Sequence, residues 1–143
     1  QTLTYAYTMG GLIGPVAQNA VQRFAFSSNS TATDVADLPA VRRNNAGFSS
    51  AVAGYAAGGG PASASVDKML FATDTSVSGI GDLATVSNKP AGCSSTTYGY
   101  IVGGGNAGEV GQTHIYTVAF SSDARSTHGN LGAATFDAAA IHS

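Results

Sequence analysis

The chain has 143 residues, of which 19 are glycine and only 10% are charged, and its formal net charge is −2. That length fits one domain with a real core, while six basic residues supply no electrostatic footprint for nucleic acid or an anionic membrane. No apolar stretch is long enough to span a bilayer, and the single cysteine, Cys93, excludes an intrachain disulfide.

Glycine, serine and threonine at this density favour many tight turns over long helices, and short bursts of Val, Leu, Ile, Phe and Tyr argue against disorder. The elements, taken in chain order, repeat. The first copy has a strand through Tyr7 that ends at Gly10 and Gly11. The stretch Leu12–Asn19 follows and reads as the longest and least repeat-like loop, with apolar Leu12, Ile13 and Val16 suited to contact a neighbouring subunit. A second strand carries Val21, Phe24 and Phe26, a third surrounds Leu38, and a fourth covers Ala46–Ser50.

The second copy runs through Gly54-Tyr55-x-x-Gly58-Gly59, then Val66, Met69 and Phe71, a turn at Thr73–Ser76, then Leu83 and Ala91–Ser95. The third has Gly99-Tyr100-x-x-Gly103-Gly104, then Ile115, Val118 and Phe120, then Leu131, and closes on Ala139–Ser143, with Ile141 at the place of Phe48 and Cys93. Tyr7 and Tyr55 lie 48 positions apart, Tyr55 and Tyr100 lie 45 apart, and the step from leucine to final serine is 12 in all three copies. Such regularity defines a single domain, 1–143, of three repeats spanning about 5–50, 51–95 and 96–143. Offsets such as Val66, Met69 and Phe71 depart from a period of two, so a bulge or a strand buried on both faces is expected.

Each copy thus divides into four short strands, and about 45 residues is the size of one propeller blade. Arg42-x-x-x-Ala46-Gly47-x-Ser-Ser followed by Gly54-Tyr55-x-x-Gly58-Gly59 resembles the kelch repeat, with its basic residue, glycine-tyrosine strand and double glycine. With Phe-Ser-Ser-Asp and Gly-Asp-Leu segments it looks most like the kelch-type repeats of phage virion and tail-fibre proteins. The resemblance covers essentially the whole chain. It departs from the pattern in having no tryptophan and in carrying the arginine in the first copy alone. It implies an all-β fold of three four-stranded blades, part of a β-propeller or related assembly.

A closed ring needs four blades or more. The chain opens inside a second strand, near Tyr5–Tyr7, and stops after the first strand of a further blade. The expectation is that Ala138–Ser143 completes a blade with Gln1–Tyr7 of another copy, giving a six-bladed ring from two chains, or a filament if the rotation does not close. The bland alternative is a fragment of a longer propeller; a start at Gln1, without Met, fits a processed or partial chain.

No constellation points to chemistry, and no cofactor or metal is expected. His114, His128 and His142 fall at unrelated repeat places without metal-ligand spacing. Cys93 holds a core-like position, which leaves the copper-oxidase chemistry known on kelch propellers without its cysteine–tyrosine pair. The runs Gly58–Gly60 and Gly103–Gly105 lack the Lys-Ser/Thr of a phosphate loop. Asn29-Ser30-Thr31 is an N-glycosylation triplet usable only in a glycosylating host. The leading expectation is a non-enzymatic, self-assembling structural protein, extracellular or on a virion surface, whose partners are copies of itself. The alternative is a lectin-like module binding a cell-surface glycan through Tyr98, Asn106 and Tyr116.

Overall fold

The computed structural model describes residues 4–135 and 137–141. Among them there is no helix, and so none long and apolar enough to cross a membrane. Eleven strands form three antiparallel sheets. Sheet 1 contains β1 (Tyr5–Ile13), β2 (Val16–Ala25) and β3 (Thr33–Arg42) in that order. Sheet 2 contains β4 (Ala46–Ser49), β5 (Ala53–Ala57), β6 (Ser65–Leu70) and β7 (Val77–Asp82), also in sequence order. Sheet 3 repeats that meander with β8 (Ala91–Ser94), β9 (Tyr98–Val102), β10 (Gln112–Ala119) and β11 (Arg125–Thr135).

The stretch Leu12–Asn19 corrects one expectation. It is not a loop: β1 and β2 continue as a hairpin through Leu12, Ile13 and Val16, with only Gly14 and Pro15 between them. Gly14 has φ +57 and Pro15 supplies a fixed φ, so two residues suffice to reverse the chain.

The first glycine of each pair is required by close approach. Gly10, Gly58 and Gly103 all have φ between +64 and +70. A Cβ there would stand closer than 3.0 Å to the carbonyl oxygen of Arg42, Ser87 and Thr135, which lie four residues after the repeat leucine. A strand end crossing backbone at that distance admits no side chain, and φ in this region is free only for glycine. The irregular apolar spacing reflects burial on both faces, with Val66 packed toward sheet 3 and Met69 toward sheet 1, and a bulge lies beside it in the last strand of each sheet. The register slips at Val21/Gln22, at Val66/Asp67 and at Ile115/Tyr116, the same repeat place in every sheet.

The sheets pack face to face, with sheet 2 in the middle. Val21, Leu38, Ala56 and Met69 form the core between sheets 1 and 2, joined by half-buried Tyr7, Met9 and Phe71. Phe48, Tyr55, Val66, Leu83, Ile101, Tyr116 and Val118 form the larger core between sheets 2 and 3, with Phe120 against it. Strand β5 is buried along its whole length because it has a neighbour on each face. Leu38 and Leu83 are buried, whereas Leu131, on the outer sheet, is only half-buried.

Candidate functional site

The two junctions between sheets are built from the same parts. Tyr7 of sheet 1 stacks on Phe71 of sheet 2, with ring centroids 5.2 Å apart and planes inclined by 18°. Tyr55 of sheet 2 stacks on Phe120 of sheet 3 at 5.4 Å and 24°. Beside each stack lies an ion pair. Arg23 donates to Asp74 across the first junction, and Lys68 pairs with Asp123 at 2.8 Å across the second. Both aspartates have positive φ, +37 and +57, at the turn three residues beyond the stacking phenylalanine. Burial, reinforced by the Tyr7 hydroxyl's 3.2 Å hydrogen bond to Asp74, pushes the Tyr7 phenol above its ordinary range. The Asp123 carboxylate, hydrogen-bonded to Lys68, raises that ammonium.

The first junction has an additional clamp. Arg42, at the end of β3, lies beside Asp67 of β6, with Nη2 2.5 Å from the carboxylate oxygen and both side chains almost wholly buried. The guanidinium also donates to the Ser65 hydroxyl at 2.8 Å and the Ser65 carbonyl at 3.2 Å. Burial pushes the Asp67 carboxyl up, more than the neighbouring guanidinium pulls it down. At the corresponding places of the second junction, Ser87 donates to the Gly103 carbonyl and the Tyr116 hydroxyl meets Thr85 at 2.7 Å.

One strand position is unequal. In sheets 2 and 3 the glycine-tyrosine strand has neighbours on both edges: β5 lies between β4 and β6, and β9 between β8 and β10. In sheet 1 the equivalent strand, β1, pairs only with β2 among the described residues. Beside that edge a cleft of about 780 Å³ opens between sheets 1 and 2. Its walls repeat the seat of Phe48. Phe48 stacks on Tyr55 at 5.0 Å, faces Phe120 at 6.5 Å, and covers Gly99, where a Cβ would collide with its ring. The equivalents one repeat earlier are Tyr7, Phe71 and Gly54, and all three line the cleft.

The residues expected to contact a partner are exposed. Leu12, Ile13 and Val16 stand at the end of the β1–β2 hairpin, and Ile141 is 92% exposed in a segment with no assigned strand. The rest of the expected pairing, residues 1–3 and 142–143, lies outside the described residues. Phe26 is 58% exposed, unlike its half-buried counterparts Phe71 and Phe120.

The glycan trio is corrected. Tyr116 is 2% exposed, because β10 turns it inward against β9 and Thr85, so it offers no face to a sugar. Tyr98 is exposed, and Asn106 spends its carbonyl oxygen on the Gly108 and Val110 amides of its own loop. Cys93 is half-buried and has no disulfide partner. His114 stacks on Tyr116 at 5.4 Å, and among the described residues no group of His, Cys, Asp or Glu is placed to hold a metal.

Sequence reasoning did not find the ion pairs. Their signal was present: Arg23 and Lys68 share one repeat position and Asp74 and Asp123 another, yet repeat position alone does not say that the base of one sheet meets the acid of the next. No protein-family model matches the sequence, and no curated protein matches it significantly.

Proposed function

We propose that this protein is a non-enzymatic structural component, extracellular or on a virion surface, that assembles with copies of itself through strand completion. Its sheets act as propeller-type blades of kelch-like sequence. The observation that carries this reading is the cleft beside β1. It presents a strand edge with no strand partner among the described residues and an apolar seat whose walls repeat those that hold Phe48.

The segment that fits is Ala139-Ala140-Ile141-His142-Ser143, which repeats Ala46-Gly47-Phe48-Ser49-Ser50 and Ala91-Gly92-Cys93-Ser94-Ser95 in register. Ile141 of one copy enters the seat lined by Tyr7, Gly54 and Phe71 of the next. The backbone of the added strand hydrogen-bonds along the outer edge of β1, which is the general chemistry of strand addition. Three sheets per chain are too few for a ring, so two copies make six blades, and a rotation that fails to close makes a filament.

Sedimentation velocity with negative-stain imaging tests the reading. Particles of two chains, or filaments, are expected, and Ile141→Asp should convert them to monomers with unchanged circular dichroism. A wild-type chain that stays monomeric at all accessible concentrations would overturn it.

A further inference from the structure

We infer that the same copy-to-copy junction contains a third aromatic stack, between Tyr100 of one copy and Phe26 of the next. This rests on the self-assembly reading and assigns the surfaces that meet. Each sheet receives from its successor a phenylalanine on its tyrosine and a turn residue beside its third-strand basic residue. Tyr7 receives Phe71 and Arg23 receives Asp74; Tyr55 receives Phe120 and Lys68 receives Asp123. That rule leaves one donor and one acceptor unused, and they lie on opposite outer sheets.

The unused donor is Phe26. It holds the repeat position of Phe71 and Phe120, follows directly on β2, and is 58% exposed, with Phe24 edge-on at 6.1 Å as its only ring partner among the described residues. The unused acceptor is Tyr100, opposite Thr117 in the β9–β10 register as Tyr55 is opposite Lys68 in β5–β6. Among the described residues its ring meets only His128, edge-on at 5.6 Å, and Tyr98 at 6.4 Å, and no described phenylalanine stacks on it. Half-exposed aromatic rings on two matching outer faces are costly to leave in water and gain by stacking on each other.

Charge agrees. At the internal junctions the flanking positions carry Arg23 with Asp74 and Lys68 with Asp123. On the outer sheets the same two positions are Thr117, buried and hydrogen-bonded to Ser126 at 2.8 Å, and exposed Asn29, both neutral. A second copy can therefore dock on this face without stranding a buried charge on either side. A glycan on the Asn29-Ser30-Thr31 triplet would stand in this junction, so the test uses protein from a host that does not glycosylate.

The chain has no tryptophan, so Phe26→Trp gives a single reporter at the junction. Its emission should shift to the blue as concentration rises, with the midpoint found by sedimentation. Phe26→Ala and Tyr100→Ala should each weaken association by roughly tenfold. Combined, they should fall short of the product of the single effects by about threefold or more, since two side chains that touch are coupled. Multiplicative effects, or a tryptophan whose emission ignores association, would overturn this stack while leaving strand completion standing. A wild-type monomer would remove both.

Discussion

Arg42 is the group whose removal should be felt most by the junction between sheets 1 and 2. Its guanidinium is buried and bonded to Asp67 and to the Ser65 hydroxyl and carbonyl. Arg42→Met keeps much of the volume but leaves the Asp67 carboxylate buried without a counter-charge, a loss of about 3–5 kcal/mol. For a chain of this length about 1 kcal/mol corresponds to roughly 3 °C, so the melting temperature should fall by roughly 10–15 °C at about pH 7. The pH dependence identifies the cause. Both influences that pull the Asp67 carboxyl down come from Arg42, and burial already holds that carboxyl above its usual range. Without Arg42 it rises further. A carboxyl whose folded pKa exceeds its unfolded value contributes stability that is complete below the unfolded value and is lost as the pH rises through the folded one. The Arg42→Met deficit should therefore be largest at neutral pH and shrink as the pH falls toward about 4. Adding Asp67→Asn should recover part of the loss and flatten the pH profile. Thermal melts followed by circular dichroism across that range provide the assay. A deficit under about 1 kcal/mol, or one that does not shrink on acidification, would refute the argument.

The remaining predictions concern repeat positions. Gly58→Ala forces a left-handed φ of +64 on a residue with a Cβ and drives it into the Ser87 carbonyl; a loss of at least about 1–2 kcal/mol is expected, read as a lower urea midpoint. Gly132→Ala meets nothing within 4 Å and should change stability by no more than about 0.5 kcal/mol, so equal effects at the two glycines would contradict the close-approach account. Phe48→Ala removes a buried ring held between Tyr55 and Phe120 and should cost about 3–5 kcal/mol in the same denaturation assay. Lys68→Ala breaks a partly exposed pair and should cost no more than about 1 kcal/mol, most of it gone at about 1 M salt.

Much of the architecture follows from periodicity alone. The repeated Gly-Tyr-x-x-Gly-Gly segment marked β5 and β9, and the fixed leucine-to-serine step placed β4 and β8, because short strands must end where glycine allows backbone to cross. The uneven spacing of Val66, Met69 and Phe71 anticipated the two-sided burial of β6, since a strand buried on both faces loses the period of two. Leu12–Asn19 was misread because an extended hairpin with a Gly-Pro turn has the same composition as a loop; only pairing across the ribbon distinguishes them. Tyr116 was misplaced for a different reason: it alternates regularly with Val118 and shares its core, but a tyrosine with a polar tip reads equally well as a surface residue.

What the sequence determined was the number of repeats, the strand-rich class and the positions where glycine is obligatory, because these depend on local backbone geometry. What the tertiary structure decided was how repeats face one another. The Tyr–Phe stacks, the Arg23–Asp74 and Lys68–Asp123 pairs and the buried Arg42–Asp67 clamp join residues from 25 to 65 positions apart. Such contacts have no local signature, since they exist only once one sheet is laid on the next. The cleft beside β1 belongs to the same class. Its walls can be recognised only by comparison with the seat that Phe48 fills.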